Sequence, residues 1–329
     1  MKVAFFSSKE YEMGIFQKAN ESQGHELNFL DVPLNVQTAV LAKNHDAVCI
    51  FVNDQADAEV IKTLSSMDVR LIALRCAGFN NVDLVAASQS GIKVVRVPAY
   101  SPYAIAEHTL ALILTLNRKT HRAYNRVREG NFSLNGLMGF DLNGKTVGLI
   151  GLGKIGLITA QILKGFGCRV LGYDIAKPQE ADAIGIEFSD LDTLYASSDI
   201  ISLHCPLNAH THHLINDASI AKMKRGVMLI NTSRGALIDT VAVISALKEE
   251  HIKYLGLDVY EEEEHLFFQD LSETVIQDDV FSRLLAFNNV LITGHQAFLT
   301  SNAVENIADT SLENITDFEQ GDNLINEVL

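Results

Sequence analysis

Apolar residues along this chain come in short blocks, separated by longer segments in which they recur every three to four positions. In the first hundred residues the blocks are 3–6, 26–30, 47–52, 71–74 and 94–97, and the segments 11–22, 56–65 and 82–88 between them have helical composition and spacing. That alternation predicts a parallel sheet with helices on both faces. The alternation resumes later, with strands expected at 147–150, 169–173, 200–203, 227–230, 254–257 and 290–292 and helices such as 241–249 between them. This second set predicts an open parallel sheet of about six strands. Between the sets, Pro98-Ala99-Tyr100-Ser101-Pro102 marks a break. Residues 103–129 then read as one long helix, so apolar in its first half that it must be buried between domains or between subunits. Residues 300–318 predict a final amphipathic helix that crosses back onto the first domain and makes that domain discontinuous.

The strand at 147–150 runs into Gly151, Gly153 and Gly156 with G-x-G-x-x-G spacing, 155–166 carries a helix pattern with Lys154 and Ile155 at its start as cofactor-binding candidates, and the next strand stops at Asp174. Each residue type has a mechanical reason. Gly151 permits a tight turn, Gly153 lets a pyrophosphate approach the backbone, and Gly156 lets helix and strand pack closely. The helix start offers free N–H groups to phosphate. Asp174 suits a ribose 2′-hydroxyl and would repel a 2′-phosphate, which points to NAD rather than NADP. No such fingerprint follows the first strand, so the first hundred residues form a separate α/β domain and the dinucleotide domain comes later in the chain.

Composition narrows the partners. A chain of 329 residues exceeds one ordinary core, and 47% apolar residues can bury two. A net charge of −15 with no basic run argues against nucleic acid or an anionic membrane, and means that an anionic substrate needs a local cation. Cys49, Cys76, Cys168 and Cys205 are scattered, which suggests reduced thiols in a cytoplasmic protein rather than a zinc site or a disulfide framework. The apolar run after Met1 is too short for a secretory signal, and the longest one, 110–116, is far below a membrane span, so a soluble protein is expected. His210, His212 and His213 lie close together, but no carboxylate or thiol stands at ligand spacing from them and no metal is expected.

Ligands of open α/β sheets bind beyond the carboxyl ends of the strands. There the chain offers Arg234 after 227–230, the run Glu261-Glu262-Glu263-Glu264 after 254–257, and His295 after 290–292. A guanidinium can fork onto a carboxylate and the carbonyl beside it, while an imidazolium supplies a proton, so this set suits reduction of a 2-oxo acid. Position alone leaves open a loop arginine, a solvated acidic run and a structural histidine. His204, followed by Cys205-Pro206, reads as a turn lining the cofactor.

Five segments then carry a resemblance: Leu74 through Asp83, Val97 through Pro102, Asn231 through Asp239, Asp258-Val259-Tyr260-Glu261, and Gly294 through Thr300. In this order they resemble the D-specific 2-hydroxyacid dehydrogenases, and within them the fermentative, lactate-forming enzymes of bacteria. The resemblance runs nearly end to end. It implies two doubly wound parallel-sheet domains, a Rossmann NAD domain at 100–296 inserted into a flavodoxin-like catalytic domain made of 1–99 and 297–329. It implies NADH-dependent reduction of pyruvate to D-lactate; the apolar helix 103–129 adds the expectation of a homodimer or higher homo-oligomer, and the scattered cysteines that of a cytoplasmic one. By the same resemblance Arg234 binds the substrate's carboxylate and carbonyl, His295 is the acid–base group, and the pattern Asp-x-Tyr-Glu-x-Glu selects Glu263 as its partner. Ala77 and Gly78 offer backbone N–H groups to the carboxylate, Tyr100 and Phe298 shape the pocket, and His204, Pro206, Thr211, Thr232 and Asp258 line the cofactor. Two positions depart from related lactate enzymes, which often have Glu at Tyr103 and Asn at Thr211; the second departure could weaken a cofactor contact. The rivals are a dehydrogenase for a longer or branched 2-hydroxy acid and an NADH-sensing scaffold, which the lack of a basic patch disfavours.

Overall fold

The computed structural model describes residues 1–328; Leu329, where the expected catalytic domain ends, lies outside the described residues. In chain order the elements begin β1 (Lys2–Phe5), α1 (Glu10–Asn20), β2 (Glu26–Phe29), β3 (Ala47–Ile50), α2 (Ala58–Ser66), β4 (Leu71–Leu74), α3 (Leu84–Gln89) and β5 (Lys93–Arg96). Then follow α4 (Pro102–Arg118), α5 (Thr120–Arg128), β6 (Thr146–Ile150), α6 (Lys154–Gly165), β7 (Arg169–Tyr173), α7 (Glu180–Ile184), β8 (Glu187–Phe188), α8 (Leu191–Ser197) and β9 (Ile200–Leu203). The chain closes with α9 (Asp217–Ile220), β10 (Val227–Asn231), α10 (Thr240–Lys248), β11 (Ile252–Leu257), α11 (Asp279–Leu285), β12 (Val290–Ile292) and α12 (Ser301–Gln320).

Two compact units result, one formed by Met1–Ser101 with the segment from Leu299 onward, the other by Pro102–Phe298. The first holds a five-stranded parallel sheet in the order β2-β1-β3-β4-β5, the flavodoxin-like arrangement. Its central strands β3 and β4 are wholly buried, as continuous apolar runs in a two-sided sheet require. Asp57 and Asp83 cap α2 and α3 by accepting backbone N–H bonds. α12 belongs to this unit: it packs on α1, β4 and β5, Thr300 caps its start, and Asn314 Nδ2 donates to the Arg96 carbonyl at 3.0 Å.

The second unit holds seven parallel strands in the order β12-β11-β10-β9-β6-β7-β8, the Rossmann arrangement extended by one strand. The extra strand relative to the six expected is β8, two exposed residues at the sheet's edge, too short and too polar to leave a pattern. α4 is buried along Ala104, Ile105, Ala106, Leu110, Leu112, Ile113 and Leu116 and packs on α6, β10 and β11 of its own unit. The single helix expected over 103–129 is corrected to two. Lys119 adopts a left-handed φ of 51°, which ends α4 and starts the exposed α5.

Pairing of Ile150 with Leu203, Leu203 with Asn231, Asn231 with Leu257 and Leu257 with Ile292 aligns the carboxyl ends of five strands on one edge. The sheet order reverses between β6 and β9, so the crevice that binds ligands in such sheets opens along this edge.

Candidate active site

The glycine turn follows β6 directly. Gly151 has φ 98°, a left-handed conformation, and a Cβ there would meet the His204–Cys205 backbone. A Cβ on Gly156 would collide with the Gly151 carbonyl oxygen, so the first turn of α6 can approach β6 this closely only as glycine. Space above Gly153 is open, and no side chain caps α6, whose first residues Lys154 and Ile155 leave their N–H groups aimed along the helix axis. At the end of β7 Asp174 accepts from Leu152 N–H and Ile175 N–H, both at 2.7 Å, which fixes the carboxylate beside the turn. Open backbone over Gly153, a bare helix start and a fixed acid on the neighbouring strand fit the pyrophosphate and ribose of NAD.

Arg234, Glu263 and His295 leave three neighbouring strand ends. His295 Nδ1–H donates to Glu263 Oε1 at 2.7 Å, with the two side chains only 17% and 16% exposed. Glu263 Oε2 accepts from Tyr260 N–H at 3.0 Å, so both carboxylate oxygens are engaged. His295 Nε2 has no hydrogen-bond partner among the described residues. The backbone of His295 is left-handed, φ 53°, which a non-glycine residue holds only when its surroundings impose it. Asp258 imposes it. Fully buried at the end of β11, it accepts from Gln296 N–H at 3.0 Å, Ala297 N–H at 2.8 Å and Thr293 Oγ1 at 2.5 Å, while its own carbonyl accepts from His295 N–H at 2.7 Å. His108 of α4 braces the cluster with Nε2 3.3 Å from Asp258 Oδ1 and 3.0 Å from Thr293 Oγ1.

Arg234 sits on the turn after β10. Asn231 Nδ2 donates to its carbonyl at 2.8 Å, and its Nη1 donates to the Ser233 carbonyl at 2.8 Å. No acid pairs with it among the described residues, so a half-buried guanidinium faces the edge with charge to spare. In a chain of net charge −15 an anionic substrate would need such a local cation.

His204 follows β9 and contacts Ser202 Oγ through Nε2 at 3.0 Å; desolvation by the surrounding protein lowers its pKa to about 4, so it stays neutral at physiological pH. Thr211 closes the loop after β9 on itself, donating to the Pro206 carbonyl at 2.7 Å. Thr232 Oγ1 lies 2.9 Å from Thr109 Oγ1, and Phe298 is buried just past the histidine turn. In the first unit the Ala77 carbonyl accepts from Arg96 Nη1 at 2.9 Å, the Gly78 carbonyl accepts from Cys76 Sγ at 3.3 Å, and the Tyr100 carbonyl accepts from Asn306 Nδ2 at 2.6 Å. His108, Thr109 and Thr293 were not singled out from sequence. The only signal for the first two was a polar pair on an otherwise apolar helix face.

The description "D-isomer specific 2-hydroxyacid dehydrogenase, NAD binding domain" matches residues 110–297, more than half of the chain. The chain belongs to the D-isomer specific 2-hydroxyacid dehydrogenases. Like other members it carries an NAD-binding domain, and the fingerprint turn with Asp174 lies inside the matched region. It is 54% identical over 329 residues to the D-lactate dehydrogenase of Escherichia coli K12, covering 100% of both chains. The apo structure of the Escherichia coli enzyme superposes with a TM-score of 0.92 at 52% identity, again covering 100% of both chains. A D-lactate dehydrogenase from Aquifex aeolicus, solved with NAD and lactic acid, superposes with a TM-score of 0.85 at 36% identity over 97% of this chain and 96% of that one. This dehydrogenase has no helix among its described residues long and apolar enough to cross a membrane.

Proposed function

We propose that the chain is a D-lactate dehydrogenase that reduces pyruvate with NADH and a proton to D-lactate and NAD. The observation that carries this reading is the Glu263–His295 hydrogen bond beside the unpaired Arg234, on adjoining strand ends of an NAD-binding sheet. Arg234 forks onto the substrate's carboxylate and the neighbouring carbonyl oxygen, fixing the keto carbon and drawing electron density onto that oxygen. Glu263 accepts from Nδ1–H, which orients the ring so that His295 presents Nε2 to the carbonyl oxygen. The proton at Nε2 passes to the oxygen as the alcohol forms; in the reverse direction the same nitrogen takes it back. NADH, when bound, supplies the hydride that adds to the keto carbon. Asp258 acts through the backbone, holding residues 295–297 in the conformation that aims the imidazole. Handedness of the product rests on the family's D-specificity.

Assignment of Pro102–Phe298 as the NAD domain and of the other unit as the catalytic domain is part of the same proposal, as are the substrate roles of Ala77, Gly78, Tyr100 and Phe298. We place the reaction in the cytoplasm, where four free, buried cysteines remain reduced. The partner is a second copy of the chain. Tyr124, Val127, Phe132, Leu134 and Met138, between 53% and 88% exposed, give α5 and the segment after it an apolar surface that a copy would cover. Sedimentation as a monomer would remove that assignment.

The test of the reaction is NADH oxidation over a panel of 2-oxo acids with chiral analysis of the product. Pyruvate as preferred substrate and D-lactate as product are expected. Preference for a branched 2-oxo acid, or an L product, overturns the reading.

A further inference from the structure

His212 and His213, close together in a sequence that places no carboxylate at ligand spacing from them, gain one from the fold. Glu261 reaches them from 48 residues further on, with Oε1 2.5 Å from His213 Nε2. One ligand atom from each of His212, His213 and Glu261 lies within 4.8 Å of the others, and the two imidazoles stack with centroids 4.0 Å apart. We propose that these three side chains bind one zinc-class divalent ion and that loading it slows turnover.

The chemistry of the donors selects the ion. Two imidazole nitrogens and one carboxylate oxygen suit Zn²⁺ and its neighbours in the transition series, whereas Mg²⁺ and Ca²⁺ want oxygen throughout. Three protein ligands leave the fourth tetrahedral position for water. Glu261 Oε2 also accepts from Thr240 Oγ1 at 3.1 Å, a second-layer bond that orients the carboxylate. The surroundings admit an ion from solvent, since His212 is exposed while His213 and Glu261 are partly covered. An imidazole nitrogen binds the ion only without its proton, so uptake releases a proton wherever that nitrogen carries one.

The same three residues are tied to the reacting groups. Two ligands each about 2.1 Å from a tetrahedral ion stand about 3.4 Å apart, so the pair must open by about 1 Å from its hydrogen-bonded separation. On the carboxylate side, Glu261 follows Tyr260, whose N–H donates to Glu263. A Cβ on Gly235, next to Arg234, would collide with the Tyr260 carbonyl and the Glu261 nitrogen, so these two backbones touch with no slack. On the histidine side, His213 N–H donates to the Ala236 carbonyl at 2.9 Å. Movement at the ion site therefore reaches both the Arg234 turn and the Glu263 turn, and a misplacement of about 1 Å at reacting groups can cost about a hundredfold in rate.

The experiment titrates ZnCl₂ calorimetrically into full-length, chelator-treated protein without substrate. One ion per chain is expected for the parent and for His210→Gln, and none at this site for His212→Gln. In pyruvate assays the loaded parent should lose at least about tenfold in kcat, recover with EDTA, and differ from His212→Gln, which should keep its activity in zinc. A parent that takes up no zinc, a stoichiometry unchanged in His212→Gln, or a loaded parent at full turnover overturns the proposal. Only the turnover arm rests on the lactate reading. Zinc uptake that follows His212 in a protein unable to reduce pyruvate would support the site and refute that reading alone.

Discussion

The two units each contain a carboxylate gripping a basic side chain, and the grips differ in what they leave free. In the first, Arg75 donates to Glu12 through Nε at 3.1 Å and Nη2 at 3.0 Å, with side chains 1% and 5% exposed. Two further donors go to the Ser7 carbonyl at 2.8 Å and the Cys49 carbonyl at 3.5 Å, and the guanidinium lies over the Phe51 ring. That pair is sealed. In the second, His295 uses one ring nitrogen on Glu263 and leaves the other without a partner, at an edge that solvent reaches. A guanidinium never gives up its proton under ordinary conditions, while an imidazole exchanges one near neutrality. The same motif is thus a brace where both partners are buried and the cation cannot lose its proton, and an acid–base device where one ring nitrogen is left over.

Three substitutions test the contrast, in falling order of effect. Replacing His295 by Asn keeps a residue that tolerates left-handed backbone but removes the proton donor, so kcat for pyruvate should drop about 10³–10⁴-fold while the melting temperature barely moves. A large loss of stability there would make His295 a brace like Arg75. Glu12→Gln does the opposite: it strands a buried positive charge and should cost about 3–5 kcal/mol in chemical denaturation, with the folded fraction turning over normally. Stability within about 1 kcal/mol of the parent would mean that the pair is dispensable. Glu263→Gln is milder, about 10- to 100-fold in kcat, with a signature of its own. Without the carboxylate the ring loses its anionic acceptor at Nδ1 and with it a fixed aim, so the loss should fall on kcat while KM for pyruvate stays within about twofold. An unchanged kcat removes Glu263 from the mechanism.

What the sequence made legible follows from range. The glycine turn, Asp174 and the strand-end Arg234 and His295 are local patterns: an apolar strand stops, and the residue after it is on the binding edge. The resemblance then singled out Glu263 among four consecutive acids, which no spacing rule could do. Contacts made by distant segments stayed hidden. Glu12 and Arg75 lie 63 positions apart, His213 and Glu261 48, Asp258 and Ala297 39. Asp258 reads as a cofactor-lining residue in sequence; that its carboxylate also holds the histidine turn, 38 and 39 positions on, no local pattern shows. The break at Lys119 was hidden for another reason. Lysine is a good helix former, and nothing local announces that α5 leaves the core at that point.

The return of α12 to the first unit bears on how the protein is made. The second unit is one unbroken stretch, complete once Phe298 has been synthesised, whereas α1 waits for a helix translated nearly three hundred residues after it. On a ribosome adding residues from the N-terminus, the part that begins second can finish folding first. The early strands must meanwhile remain unassembled with an apolar face uncovered, so the first hundred residues are where a chaperone is most needed and where a stalled chain would aggregate.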